Sequence, residues 1–184
     1  MIQPICVLGS PVLRKHAAEI SKDYKKLQQL IDDLFSTLEK CEGLGLAAPQ
    51  IGVSLRAFVV DTSNIEDQKL APNDFKKVFI NPKILEYSGA EWMYNEGCLS
   101  IPGIQEEVSR PDKIRIQYFD ESFNFHDEYY NGMLARIMQH EYDHLEGKLF
   151  IDRIPLIRRK LLQSKLNNIP KGKFEAKYKV KIQK

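Results

Sequence analysis

The stretch Gln139-His140-Glu141-Tyr142-Asp143-His144-Leu145-Glu146-Gly147 places two histidines four residues apart, with a glutamate directly after the first. On a helix that spacing stacks the two imidazoles on one face, one turn apart. Two imidazoles held this way can bind one transition metal. The glutamate between them can then take a proton from water at that metal. The plainer reading is an amphipathic helix with two ordinary histidines. Only four histidines occur in the chain, and finding two at ligand spacing around a glutamate weighs against it.

Two histidines do not complete a catalytic site, which takes three protein ligands and leaves a position for water. In one metalloprotease class the signature continues to a glycine and a third histidine. Gly147 holds the glycine position here, but Phe150 stands where the histidine would be. The third ligand is therefore open among Asp152, other carboxylates and the three cysteines, Cys6, Cys41 and Cys98.

A helix is needed to align these groups. Asn131 is suited to its N-cap and Gly147 to the residue after its C-cap. Between them Met133, Leu134, Ile137, Met138 and Leu145 recur at helical spacing. Met133, Ile137, His140 and His144 form one stripe, with Arg136 and Glu141 beside it.

Around this helix the chain reads as mixed elements. Ser21 can cap a helix running to about Lys40, with Leu27, Leu30, Ile31, Leu34 and Leu38 as its apolar stripe. The run Gly43-Leu44-Gly45-Leu46-Ala47-Ala48-Pro49-Gln50-Ile51-Gly52 is rich in small residues, which let backbone approach closely. No Gly-Lys-Ser/Thr follows, so it is not a phosphate loop. Leu55 to Asp61 reads as a strand, and Val78 to Leu85 as another with Pro82 at an edge or bulge. Asn64 to Lys76 is polar and reads as a surface loop. Cys98 lies between glycine and proline punctuation in Glu96-Gly97-Cys98-Leu99-Ser100-Ile101-Pro102-Gly103, in a turn or extended segment. Ile114 to Phe119 and Phe125 to Tyr130 read as strands leading into the metal helix. Pro155 opens a helix through Leu166. Phe174, Ala176, Tyr178, Val180 and Ile182 alternate with polar residues, as in a C-terminal strand with one buried face.

At 184 residues the chain fits one domain, 1–184, able to bury a real core. The opening Met1-Ile2-Gln3-Pro4 lacks the basic start and apolar run of a secretory signal. No stretch is long enough to span a membrane. Three cysteines far apart suggest no disulfide framework, so a reducing cytoplasm, bacterial or organellar, is the simplest setting. Net charge is +2 but uneven: Arg158 to Lys184 carries +9 and the remainder −7. A basic tail about 155–184 on an acidic body is either a nucleic-acid footprint or a solvated face.

The blocks Gly43 to Gln50, Glu96 to Ser100 and Gln139 to Gly147 resemble, in order and spacing, the three signature motifs of the peptide deformylase family. The resemblance implies an α+β fold, with mixed and antiparallel β-sheets around a central metal-binding helix. It implies Cys98 as third ligand beside His140 and His144. It also implies one divalent metal per chain, typically Fe(II), with zinc, nickel or cobalt able to take its place. The activity implied is removal of the formyl group from N-formylmethionyl peptides and nascent chains. In such a reaction Glu141 serves as base and then acid. Gln50 and the Leu99 N–H are the implied oxyanion donors. A thiolate ligand leaves an Fe(II) site vulnerable to oxidation.

Ile137 and Met133, three and seven residues before His140, can line a pocket for an unbranched apolar side chain, with Leu44 opposite. Arg136 shares that face and is expected to pack its stem while its charge reaches solvent. The following peptide is expected to lie extended along Gly43, Leu44 and Gly45, paired through backbone groups. Glu96, also placed in the substrate site, is expected to pair with Arg110, because a buried charge near a metal needs a partner. A metallopeptidase cutting internal bonds shares the helix chemistry but requires neither Cys98 nor the first block. A structural-metal or nucleic-acid module would have no use for Glu141. Neither a membrane nor DNA is expected as a partner, whereas the basic tail is suited to ribosomal RNA.

Overall fold

The computed structural model describes residues 1–63, 65 and 71–182. Its organising feature is the four-residue apolar run Ala57-Phe58-Val59-Val60, buried on both sides in strand β3 (Ala57–Asp61). Successive strand residues point to opposite faces. Phe58 and Val60 therefore join the core under helix α2 (Gly132–Leu145), whereas Ala57 and Val59 join the core under helix α1 (Leu27–Lys40). A continuous apolar run, rather than an alternating one, is what a strand covered on both faces requires.

β3 sits second in a five-stranded sheet of order β2-β3-β4-β5-β6, in which every neighbouring pair is antiparallel. The other members are β2 (Gly45–Ala47), β4 (Lys76–Cys98), β5 (Ile101–Phe119) and β6 (Phe125–Asn131). β4 and β5 form one long hairpin whose tip is Leu99-Ser100, between the paired Cys98 and Ile101. The pairing shifts between Ile80 and Lys83, around Pro82, whose missing N–H cannot serve the ladder. Ile114, Ile116 and Tyr118 turn inward beneath α2 while Lys113 faces solvent. Phe58 and Phe79 stack there with ring centroids 4.7 Å apart. Each such buried aromatic contributes on the order of 1.5–3 kcal/mol.

α1 buries Leu30, Ile31, Leu34 and Leu38 on its expected stripe. It begins at Leu27 rather than after Ser21. Residues 21–26 instead make successive turns, from Tyr24 N–H to Ser21 O and from Leu27 N–H to Tyr24 O. Only Tyr24 among residues 21–26 is half-buried, so there is no apolar face to hold a helix there.

Three further expectations are corrected. The helix opened by Pro155 is two short ones, α3 (Leu156–Leu161) and α4 (Gln163–Asn168), and Leu156, Ile157 and Leu161 face solvent. The C-terminal strand shrinks to β7 (Val180–Lys181), paired in parallel with β1 (Ile5–Cys6). β1 offers only two positions, so the alternation from Phe174 to Tyr178 has no ladder to join, and Ala176 is exposed. Strand β4 also runs far beyond Leu85, through polar residues and Gly89 that broke the expected pattern. Of the stretch Asn64 to Lys76, residues 64 and 66–70 lie outside the described residues, and Lys76 already opens β4. The antiparallel sheet with helices packed on its faces is the expected α+β arrangement. Among the described residues no helix is long and apolar enough to cross a membrane.

Candidate active site

α2 leaves β6 directly, with Asn131 in extended conformation as its N-cap. It ends at Leu145 with Glu146 as C-cap, and Gly147 turns the chain at φ +68, where a Cβ would lie 2.8 Å from the Arg14 carbonyl. Glycine is required there both for the left-handed backbone and for the close approach. Between these ends His140 and His144 project toward the tip of the β4–β5 hairpin, where Cys98 is the last residue of β4.

Donor atoms of Cys98, His140 and His144 all lie within 4.8 Å of one another, and no other such group of three occurs among the described residues. The Cys98 Sγ is 3.3 Å from His144 Nε2. Asp152, the rival ligand, instead pairs with Arg14 and Arg159 at the surface. Cys6 and Cys41 are outside the group.

The residues present fit a divalent metal. Burial would push the Cys98 thiol up, but the His144 charge and hydrogen bonds from both imidazoles bring it down to about 5. It is thus a thiolate near neutrality, the form that ligates. His140 Nδ1 contacts Glu96 Oε2 at 3.0 Å, which leaves Nε2 for a metal. One thiolate and two imidazoles suit a borderline-soft ion and leave a fourth position open.

Glu141 is buried beside this triad, and its Oε2 has no hydrogen-bond partner among the described residues. Burial pushes its carboxyl up to about 7 against the lowering pull of the His140 and His144 charges. A carboxyl near 7 can both accept and return a proton at neutral pH. The first block makes room for it: a Cβ on Gly45 would meet Glu141 Oε1 at 2.6 Å.

Gln50 lies in a short 3-10 turn, Ala48–Ile51. Its Oε1 accepts the Ala47 N–H at 2.7 Å, so its amide nitrogen is the end that faces the site. Nε2 is 3.6 Å from Cys98 Sγ and 3.4 Å from Ser100 Oγ.

Behind the metal group runs a buried ladder of charge. Arg110 donates to both oxygens of Glu96 at 2.7 and 3.0 Å, so the expected pair is formed. Arg110 also donates to Asp143 at 2.8 Å, and Asp143 is gripped in turn by Arg153. Burial alone would raise the Glu96 carboxyl. Hydrogen bonds from His140 and Arg110 instead hold it well below the usual carboxylate range. Arg136 departs from expectation. Its charge does not reach solvent: the side chain is 2% exposed, and its guanidinium pairs with Glu96 at 2.5 Å and lies 4.1 Å over the Trp92 ring.

A cleft of about 1130 Å³ opens beside the triad. Gly43, Leu44, Gly45, Met133, Arg136 and Ile137 line it, so every residue singled out for substrate is at this wall, with Glu96 at its base. The C-terminal segment Glu175 to Tyr178 lines it as well, and the sequence carried no sign of that.

A thiolate, two imidazoles, a proton-accepting carboxyl and an amide donor converging on one cleft define a metal-dependent hydrolase. The family model described as polypeptide deformylase matches residues 2–160, and the chain belongs to that family. It is 49% identical over 182 residues to the peptide deformylase of Cytophaga hutchinsonii, covering 99% of this chain and 98% of that one. The enzyme of Christiangramia forsetii is 46% identical over 189 residues, covering 99% and 96%. The fold matches the crystal structure of the Legionella pneumophila peptide deformylase at TM-score 0.81 and 36% identity, covering 93% and 96%. It also matches the Acinetobacter baumannii class I type b enzyme with Met-Ala-Ser bound, at TM-score 0.77 and 34% identity, covering 83% and 99%. The chain is an enzyme that removes N-terminal formyl groups from peptides, and cleavage of internal peptide bonds is not favoured.

Proposed function

We propose that Cys98, His140 and His144 hold one divalent metal ion, Fe(II) in the cell, in a single catalytic unit formed by the whole chain. Zinc, nickel or cobalt would occupy the same donors. When bound, the metal supplies Lewis acidity toward water and the formyl carbonyl. Glu141 takes the proton of the attacking water and returns it to the amine as the C–N bond breaks, giving formate and a free N-terminus. Gln50 Nε2 and the Leu99 N–H donate to the oxyanion of the tetrahedral species. Met133, Ile137 and Leu44 form the pocket for the methionine side chain. The backbone of Gly43 to Gly45 pairs with the residues that follow it. Glu96, held between Arg110 and Arg136, orients His140.

The observation that carries this reading is the group of three metal donors with the buried Glu141 beside it, whose Oε2 has no hydrogen-bond partner among the described residues. The relative with Met-Ala-Ser bound supports a formyl-methionyl substrate. The test compares formate release from formyl-Met-Ala with cleavage of a blocked internal peptide, using protein purified without oxygen and analysed for metal. Formate release alone, with about one iron per chain, is expected. Cleavage of the internal peptide, or a metal retained after Cys98→Ala, would overturn it.

The natural substrates on this reading are nascent chains in the cytoplasm, and the basic tail orients the enzyme on ribosomal RNA. Lys160, Lys171 and Lys173 are exposed. Their replacement by glutamine should leave formyl-Met-Ala hydrolysis intact and weaken co-sedimentation with ribosomes at low salt. Unchanged co-sedimentation would sink the ribosome contact.

A further inference from the structure

The family match stops at residue 160, yet the chain beyond it returns to the catalytic cleft. The contact is specific. The Tyr178 hydroxyl donates to the Leu99 carbonyl at 2.8 Å. Leu99 and Ser100 are the two residues of the hairpin tip, directly after the metal donor Cys98. The neighbouring Ser100 carbonyl accepts the Leu8 N–H at 2.8 Å, and the Ser100 hydroxyl accepts from Gln50 at 3.4 Å. The donors that reach the two carbonyls come from opposite ends of the chain. Leu8 follows β1 and Tyr178 precedes β7, and these two strands pair with each other at Ile5↔Val180 and Cys6↔Lys181. The Ile5 N–H also donates to the Lys179 carbonyl at 2.9 Å. The termini thus close into a small clamp that holds both carbonyls of the tip.

We propose that Tyr178 is a positioning residue for deformylation, acting through Leu99. A two-residue turn fixes its peptide planes only through a few backbone torsions, and an unheld plane can rotate. The Tyr178 hydroxyl fixes the Leu99 carbonyl and with it the torsions on either side of Leu99. The Leu99 N–H, one plane earlier, is then held toward the cleft. This rests on the reading of Leu99 as an oxyanion donor, whose worth depends on its being in place before charge develops. The terminal clamp is therefore part of the catalytic apparatus.

The test is Tyr178→Phe, which removes the hydroxyl and keeps the ring. In the variant kcat for formyl-Met-Ala should fall about tenfold, less than the ~10²-fold for outright loss of an oxyanion donor, with KM and metal content unchanged. A merely structural role would not separate kcat from KM in this way. Two further readouts do not depend on turnover. In the metal-free variant, the Leu99 and Ser100 amides should exchange hydrogen faster than in the parent. In the zinc-loaded parent, added formate should shift the Leu99 amide resonance, and the variant should show a smaller shift. If formate leaves the parent's Leu99 amide unmoved, the oxyanion reading itself fails and takes this inference with it. If formate shifts Leu99 equally in both proteins and kcat is unchanged, the oxyanion reading stands and the role of Tyr178 is overturned.

Discussion

Gly45 and Glu141 are in direct contact: a Cβ added to Gly45 would lie 2.6 Å from Glu141 Oε1, 2.8 Å from Cγ and 2.9 Å from Cδ. The first motif thus carries glycine because the carboxyl of the third motif occupies the space of a methyl group. Three overlapping atoms cannot be cleared by a small torsion, so the Glu141 side chain must swing. Gly45→Ala should keep its metal and lose about 10²-fold in kcat, since displacement of a reacting group by an ångström has that scale. Metal analysis beside steady-state kinetics checks it, and an active variant would show that Glu141 tolerates another position.

Glu141→Gln should likewise retain metal, because it removes the base and not a ligand. Its kcat should drop by about 10²–10⁴-fold. Gln50→Ala should retain metal and lose roughly 10²-fold in kcat with little change in KM. Metal loss in either variant would reassign that residue to the coordination sphere.

Glu96 balances Arg110 and Arg136 and also holds His140. Glu96→Gln removes the carboxylate paired with Arg136 and, among the described residues, leaves that buried guanidinium without a counter-charge. Unfolding free energy should fall by about 3 kcal/mol. Metal affinity should fall by roughly 10-fold or more, because His140 loses the partner that fixes its tautomer. Denaturant unfolding of the metal-free protein and competitive chelation measure the two effects separately.

Far from the site, Glu128 accepts from Lys77, Tyr118 and Tyr130. Partial burial raises its carboxyl, but hydrogen bonds from Tyr130, Tyr118 and Lys77 together bring it below the usual 4.5. A depressed folded pKa contributes stability that is present above the unfolded value and lost as pH falls through the folded one. The parent should therefore exceed Glu128→Gln in stability at neutral pH, and the gap should close as pH falls below 4.5. Urea unfolding across that range checks it, and a gap independent of pH would contradict the assignment.

The local chemistry was legible in the sequence. His140 and His144 needed only the helical period to share a face, with Glu141 beside them, and Asn131 and Gly147 marked the helix ends by residue type. The apolar stripe of α1 followed from the same period, and the strand at Ala57 to Val60 from an unbroken apolar run. Where it failed, it failed for want of a partner. A strand needs a neighbour, and periodicity in the C-terminal segment could not reveal that β1 offers only two positions. Nor could a charge pattern show that Arg136 would be sealed beneath Trp92 with Glu96.

What the sequence by itself determined is the set of reactive groups and the helix that aligns two of them, because those depend on contacts within a few residues. Only the tertiary structure brought Cys98 to within 3.3 Å of His144, set the Gln50 amide 3.6 Å from Cys98, and wrapped Tyr178 round to Leu99. Those pairs are separated by 46, 48 and 79 residues. Contacts of that range are set by sheet register and by how three cores pack together, which no local pattern encodes.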